Sequence, residues 1–252
     1  EQKKRNHKWI GWTAAAAAAV MLAVGGGVLG YRYLNAVDSL IAIDVNPSIE
    51  LKTSRNERVL EVQARNADAE KVLDGMELEG TQLKVAVNAL IGSMVKNGYI
   101  DEAKNSVLVS VENSDAARGT ALENALTQEI NAALASNSIA RAVLTQMVEE
   151  DEALRSMADQ YGISVGKAAL IQQILRNDPT QSETTLVGLT INDLSLLALS
   201  KDPSVQQNLT GTVSEQNYIG LDKARSLAQE RLPGASLTEI EFDYEGGRAV
   251  YE

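Results

Sequence analysis

The sequence has no cysteine and a single histidine, His7. The first absence excludes a disulfide framework, a thiolate metal site and a cysteine nucleophile. The second excludes histidine-based catalytic triads and multi-histidine metal centres. Only a carboxylate-only metal site is left open by composition, and neither a metal nor a cofactor is expected. With no cysteine and a single histidine that precedes the apolar run, a hydrolase is disfavoured. Positive charge is also in short supply: 23 Lys and Arg stand against 34 Asp and Glu, a net charge of −11. That balance makes nucleic acid and anionic surfaces poor partners for the bulk of the chain. The charge is unevenly placed. Residues 1–34 hold five basic residues and one acidic, and the remainder holds 18 basic and 33 acidic.

Charge is missing altogether from Trp9 to Tyr31, a run that includes Ala14–Ala19 and Gly25-Gly26-Gly27. Its length matches the roughly 20 apolar residues that a membrane helix needs. A secretory signal peptide is the competing reading, but the run is longer than an h-region of about 7–15 residues. Trp9 and Trp12 at one end and Tyr31 and Tyr33 at the other suit the two membrane interfaces. Lys3, Lys4, Arg5 and Lys8 precede the run, which puts residues 1–8 on the cytoplasmic side and the acidic bulk outside. The chain is thus expected in the cell membrane as a single-pass protein. Since it starts at Glu1 without methionine, it reads as a fragment whose cytoplasmic part is absent.

Just beyond this run lies Ile41-Ala42-Ile43-Asp44-Val45-Asn46-Pro47-Ser48-Ile49-Glu50. An Asn-Pro bond closes a short apolar strand here, and that bond favours one reaction. Proline has no N–H, so the usual attack of the following amide nitrogen on an asparagine side chain is blocked. The reverse attack is open: the side-chain nitrogen of Asn46 on its own main-chain carbonyl, forming a succinimide and releasing Pro47 as a new N-terminus. Asp44 lies two residues earlier, on the same face as Asn46 if the strand continues. It is a candidate to polarise the amide or take a proton, and Ser48 is a candidate hydroxyl donor for the developing oxyanion. The bland reading is that Asn46-Pro47 ends a strand and Asp44 is solvated.

An apolar run rich in β-branched residues predicts a strand over Leu40–Val45, and alternation predicts strands over Ile49–Thr53 and Arg58–Ala64. Asn66 caps a short helix, and a helical repeat runs from Thr81 to Asn97 with Gly98 after it. Asn105–Glu112 is a strand, and the next helix is capped by Ser114. Ile139–Val148 reads as a strand, with a helix as the alternative. Helices follow over Asp151–Tyr161, Ser164–Arg176 and Thr190–Leu199. The acidic run at 149–152 suits a solvated helix start. This order of elements indicates an α/β (α+β) domain over residues 35–200, with a mixed sheet and several helices. Residues 201–217 are polar and turn-rich and read as a linker. A helix over Leu221–Arg231 and two strands make up a smaller unit at 218–252.

Three features together resemble a known family: the membrane run followed by Ile43-Asp44-Val45-Asn46-Pro47-Ser48-Ile49-Glu50-Leu51, the Asn66-Ala67-Asp68-Ala69 helix start, and the Val107-Leu108-Val109-Ser110-Val111 strand. The chain is similar to the transmembrane part and membrane-proximal outer domain of RsgI-type anti-sigma factors. The resemblance implies a relay that cleaves itself between Asn46 and Pro47, and otherwise no enzyme activity. It implies an alternative sigma factor as the partner of a cytoplasmic domain, an intramembrane protease as a later partner, and a polysaccharide or other extracellular ligand as the stimulus. Residues 218–252 resemble the start of a PepSY domain through Tyr218-Ile219-Gly220-Leu221-Asp222-Lys223-Ala224 and Gly247-Arg248-Ala249-Val250-Tyr251-Glu252. An uncleaved, membrane-anchored ligand-binding module is the alternative function.

Overall fold

The computed structural model describes Gly27, Gly30 and residues 32–232, 236–238, 240–245 and 248–252. The expected stub at 1–8 and membrane span at 9–31 fall outside the described residues, those two glycines excepted. Among the described residues, no helix is long and apolar enough to cross a membrane.

The fold is a three-layer arrangement around a six-stranded mixed sheet. Its first three strands, β1 (Val37–Asp44), β2 (Ser48–Ser54) and β3 (Val59–Ala64), form an antiparallel meander. Helices α1 (Ala67–Leu73) and α2 (Leu83–Lys96) follow, then β4 (Ser106–Asn113), α3 (Ala116–Ser136) and β5 (Ala142–Met147). Strand β4 pairs antiparallel with β1 and parallel with β5, so α3 is a crossover helix. Helices α4 (Glu152–Tyr161), α5 (Val165–Asn177), α6 (Glu183–Val187) and α7 (Ile191–Lys201) come next. A 3-10 turn (Pro203–Asn208) then leads to β6 (Leu209–Gly211), which completes the strand order β3-β2-β1-β4-β5-β6.

Strand β1 lies inside the sheet and is covered on both faces. Ile41, Ile43 and Val45 join Ile49, Leu51, Val107, Val109 and Val111 in one core with α1, α2 and α3. Leu108, Ala142 and Leu144 join α4–α7 in a second core on the other face, with Leu40 packed against it. This double coverage explains why β4 is buried at every position from Ser106 to Val111, while β3, at the edge, alternates. Small residues on the second face let α5 approach closely. A Cβ on Gly166 would lie 2.1 Å from the Ser110 Oγ and 3.2 Å from the Ala42 Cβ.

Asn66, Asp151, Ser164 and Thr190 each cap the following helix by accepting a main-chain N–H. The cap of α3 differs from the expected Ser114. Asp115 fills it, its carboxylate accepting from Ala117 and Arg118. Segment 139–148 resolves to the strand β5.

Residues 201–217 do not form an open linker. Val205 and Val213 are buried, and β6 pairs with β5. The Asn105 side chain ties this segment down: its Nδ2 donates to the carbonyls of Ala140 (3.1 Å) and Thr212 (2.9 Å), and its Oδ1 accepts from the Ser214 N–H (2.8 Å). Gly211 adopts a positive φ of 96° at a site where a Cβ would meet the Arg141 carbonyl oxygen at 1.9 Å. The helix and strands expected over 218–252 are α8 (Leu221–Arg231) and the hairpin β7 (Phe242–Glu245) and β8 (Arg248–Tyr251). Phe242 is buried in the second core, with Tyr218, Tyr244 and Tyr251 edge-on around it. This unit is therefore docked on the domain.

Asn105→Ala strands Ser214's N–H and two carbonyls, so it is expected to cost ~2–3 kcal/mol in urea unfolding. A change under about 0.5 kcal/mol, the range of an ordinary surface substitution, contradicts the tethering role.

Candidate functional site

Strand β1 stops at Asp44 and β2 starts at Ser48, leaving Val45, Asn46 and Pro47 as the connecting turn. Val45's N–H donates to the Pro47 carbonyl at 3.1 Å, closing it. Val45 and Pro47 are buried and Asn46 is half-buried. Neighbouring elements fix the turn from several directions. Ile191, the first residue of α7, donates its N–H to the Val45 carbonyl at 2.8 Å, and Arg65 donates its N–H to the Ser48 carbonyl at 2.9 Å.

The decisive contacts come from the start of α1. Asn66 sits in the extended conformation of a cap (φ −145°, ψ 169°). Its Oδ1 accepts from the N–H groups of Ala69 (2.9 Å) and Ser48 (3.4 Å). Its Nδ2 is left to donate to the main-chain carbonyl oxygen of Asn46 at 2.9 Å. That carbonyl carbon carries the bond to Pro47. Asn46's own Nδ2 donates to Asp68 Oδ2 at 2.7 Å. The other carboxylate oxygen of Asp68 accepts from Lys71 Nζ at 2.8 Å and Tyr99 Oη at 2.9 Å. Lys71 first, then Tyr99 and the Asn46 amide, hold the Asp68 carboxyl below the usual carboxylate range. It is ionised at neutral pH.

An amide nitrogen, a carboxylate base and a donor to the carbonyl therefore lie around one bond. The nucleophilic nitrogen faces a carboxylate that can take its proton. The carbonyl under attack already accepts an N–H that strengthens as its oxygen gains charge. The leaving nitrogen belongs to proline.

The two helpers suggested by the strand pattern lie elsewhere. The turn takes Asn46 off the strand, so Asp44 and Asn46 do not share a face. Asp44 Oδ2 accepts from Ser164 Oγ at 2.6 Å at the N-terminus of α5, on the second core's side. Asn46 points to α1, on the first. Ser48, opposite Asp44 in the register, brings its hydroxyl to bear on Asp44. Sequence reasoning singled out Asn66 as a cap and placed Asp68 in the helix start, without linking either to Asn46. The available signal was the Asn66-Ala67-Asp68 spacing: a cap amide has a free Nδ2, and its neighbour two residues on is an acid. Among the described residues, no group of three or more His, Asp or Glu is arranged to hold a metal ion.

Asp44 is itself unusual. It is fully buried, and its Oδ1 has no hydrogen-bond partner. Burial pushes its carboxyl up to about 6, against the pull of the Ser164 and Ser48 hydroxyls and the Lys167 ammonium. Glu50, on β2, is its buried acidic neighbour and accepts from the Val165 N–H at 2.8 Å. Thus β1 and β2 together cap α5.

Residues 38–173 match the model of the anti-sigma factor RsgI-like central domain. The chain belongs to this family of anti-sigma factors. The matched stretch includes Asn46, Pro47, Asn66, Asp68 and Tyr99, whereas α7 and the C-terminal unit lie beyond it. Among curated relatives, the anti-sigma-I factor RsgI6 of Acetivibrio thermocellus is 30% identical over 141 residues, 52% of this chain and 18% of that protein. RsgI4 of the same organism is 24% identical over 237 residues, 91% of this chain and 44% of the relative. The anti-sigma-I factor RsgI of Bacillus subtilis is 23% identical over 134 residues, covering 52% and 34%. The chain thus spans less than half the length of each of these relatives.

The raised Asp44 carboxyl gives a signed pH dependence. A folded value of about 6 against an ordinary 3.8 favours the folded state while Asp44 is protonated. That advantage is lost as pH rises from about 4 to 6, and it amounts to of order 3 kcal/mol. Replacement Asp44→Asn is expected to flatten this part of the stability–pH curve. An unchanged difference in unfolding free energy between pH 4 and pH 7 rules out the buried acid as its source.

Proposed function

We propose that this chain is the relay section of a single-pass membrane anti-sigma factor, and that its outer domain cleaves itself between Asn46 and Pro47. The observation that carries this reading is the pair of contacts on Asn46: Asn66 Nδ2 on the carbonyl of the bond to be cut, and Asp68 on the attacking amide. Asn46 Nδ2 attacks the Asn46 carbonyl carbon and gives up a proton to the Asp68 carboxylate. The carbonyl oxygen carries the negative charge of the tetrahedral intermediate, facing Asn66 Nδ2. Collapse breaks the C–N bond, and the proton ends on the Pro47 nitrogen. The products are a succinimide at position 46 and a chain that begins Pro47-Ser48-Ile49. No water is consumed until the succinimide hydrolyses.

Cutting this bond leaves β1 on one piece and both its neighbours on the other. Register pairs run from Val37 to Asp44 against β2 and from Ser39 to Asp44 against β4. Ile41, Ile43 and Val45 remain buried, each contributing about 1.5–3 kcal/mol. Asp38, buried near the start of β1, is held by Arg118 (2.9 Å) and Arg55 (3.2 Å), both on the other piece. The severed domain therefore holds together until β1 is withdrawn. In this reading an extracellular ligand, a polysaccharide among the candidates, drives the withdrawal. The stub left on the membrane helix then becomes a substrate for an intramembrane protease, and a sigma factor held by a cytoplasmic domain is released.

On a denaturing gel, the parent is expected to give two pieces and Asn46→Ala one. Asn66→Asp keeps the cap of α1 but replaces the donor with an acceptor. It is expected to slow cleavage by about a hundredfold, as loss of an oxyanion donor does, with little change in melting temperature. Cleavage of Asn66→Asp at the parental rate rules out the oxyanion role. Because Asp68 is held ionised, the rate should stay level through neutral pH. It should fall only below the ordinary carboxylate range.

A further inference from the structure

Helix α7 touches the turn at one end and the C-terminal unit along its length. At its first residue, the Ile191 N–H bonds the Val45 carbonyl, one residue before Asn46. The carbonyls of Val187 and Leu189, just upstream, accept from the buried Lys167 Nζ at 3.0 and 2.7 Å, which fixes the approach to the helix. Thr190 Oγ1 donates to Asp193 Oδ2 at 2.8 Å in the first turn. The other oxygen, Asp193 Oδ1, accepts from Tyr218 Oη at 2.6 Å, and Tyr218 Oη lies 3.0 Å from Tyr244 Oη. Both tyrosines belong to the C-terminal unit. At the far end of α7, Lys201 pairs with Asp243 (2.8 Å), Glu241 (3.0 Å) and Asp178 (3.4 Å), and Ser200 Oγ accepts from the Phe242 N–H at 2.9 Å. The docked unit thus grips α7 at both ends.

We infer that α7 is a positioning clamp for the scissile turn, and that residues 218–252, docked on Asp193 through Tyr218 with Tyr244 behind it, set that clamp. The inference rests on the self-cleavage reading and adds a control to it. The clamp acts by geometry. The Val45 carbonyl is the backbone handle next to Asn46, and holding it fixes the orientation of the Asn46 amide between Asp68 and its own carbonyl. Freeing the C-terminal unit frees the first turn of α7, and with it the turn that is cut. A domain attached to the end of α7 thereby reaches the cleavage site without touching it. Asp193 and Ile191 are positioning residues, since both act through the Val45 carbonyl.

The test uses the whole chain made by cell-free synthesis, with cleavage followed in time on denaturing gels. Ile191→Pro removes the N–H, along with part of the buried side chain, at a position where proline suits a helix start. Thr190 already has the extended backbone (φ −71°, ψ 163°) that a following proline requires. Ile191→Ala is the control: it removes more side chain but keeps the donor. Ile191→Pro should cleave about tenfold more slowly than Ile191→Ala, as loss of one positioning hydrogen bond in the transition state implies. Tyr218→Phe and Asp193→Asn should each slow cleavage, and the double variant should be no slower than the worse single one, because both break the same link. A parent chain that cleaves while Ile191→Pro and Ile191→Ala run at the same rate overturns the clamp alone. Additive effects of Tyr218→Phe and Asp193→Asn overturn the link to the C-terminal unit. A parent chain that stays whole overturns the self-cleavage reading and the clamp with it.

Discussion

The placement of β1 governs the rest of the structure. It is an interior strand, hydrogen-bonded along both edges and covered on both faces, yet in sequence it is the first strand of the sheet. Its side chains alternate between two cores, with Ile41, Ile43 and Val45 on one side and Leu40 and Ala42 on the other. A strand in that position cannot leave without opening both layers. It can nevertheless lose its covalent link at Asn46 without losing its contacts, because the turn lies outside the ladder. These two properties make a break at residue 46 structurally silent at first and consequential later.

Polar groups reinforce the joint at both ends of β1. At the start, Asp38 meets two guanidinium groups and the Asn113 amide. At the end, Asp44 reaches Ser164 while Glu50 occupies the next N–H of α5. Buried charges of this kind add little net stability, because desolvation offsets their attraction. Their effect here is on register: a shift of β1 by one residue turns Asp38 and Asp44 toward the first core and takes Ile41 and Ile43 out of it. The carbonyl of Asn46 then no longer meets Asn66. Register and reaction geometry are thus linked through the same strand.

The parts of this arrangement that depend on local pattern were legible in the sequence. A β-branched apolar run marked β1, alternation marked β2 and β3, and a single polar residue marked the cap at Asn66. The missing N–H of Pro47 made Asn46–Pro47 the candidate bond from chemistry alone. What could not be read was proximity over distance. Asn66 and Asp68 lie some twenty residues from Asn46 and reach it only because β2 and β3 fold back as a meander. Asp44 was assigned to the wrong side because the strand pattern was carried two residues too far, through a turn. Segment 201–217 read as open chain because its polar residues find their partners in Asn105 and β5, and no periodicity records such pairings.

The central claim is that the Asn46–Pro47 bond breaks by attack of the Asn46 amide within the folded domain. Intact mass measurement of the purified outer domain under denaturing conditions tests this most directly. The account predicts two polypeptides that together weigh the same as the unbroken chain, one of them beginning at Pro47, with a gain of one water as the succinimide opens. A single mass continuous through residues 46 and 47, in protein that is folded with β1 in place, contradicts it.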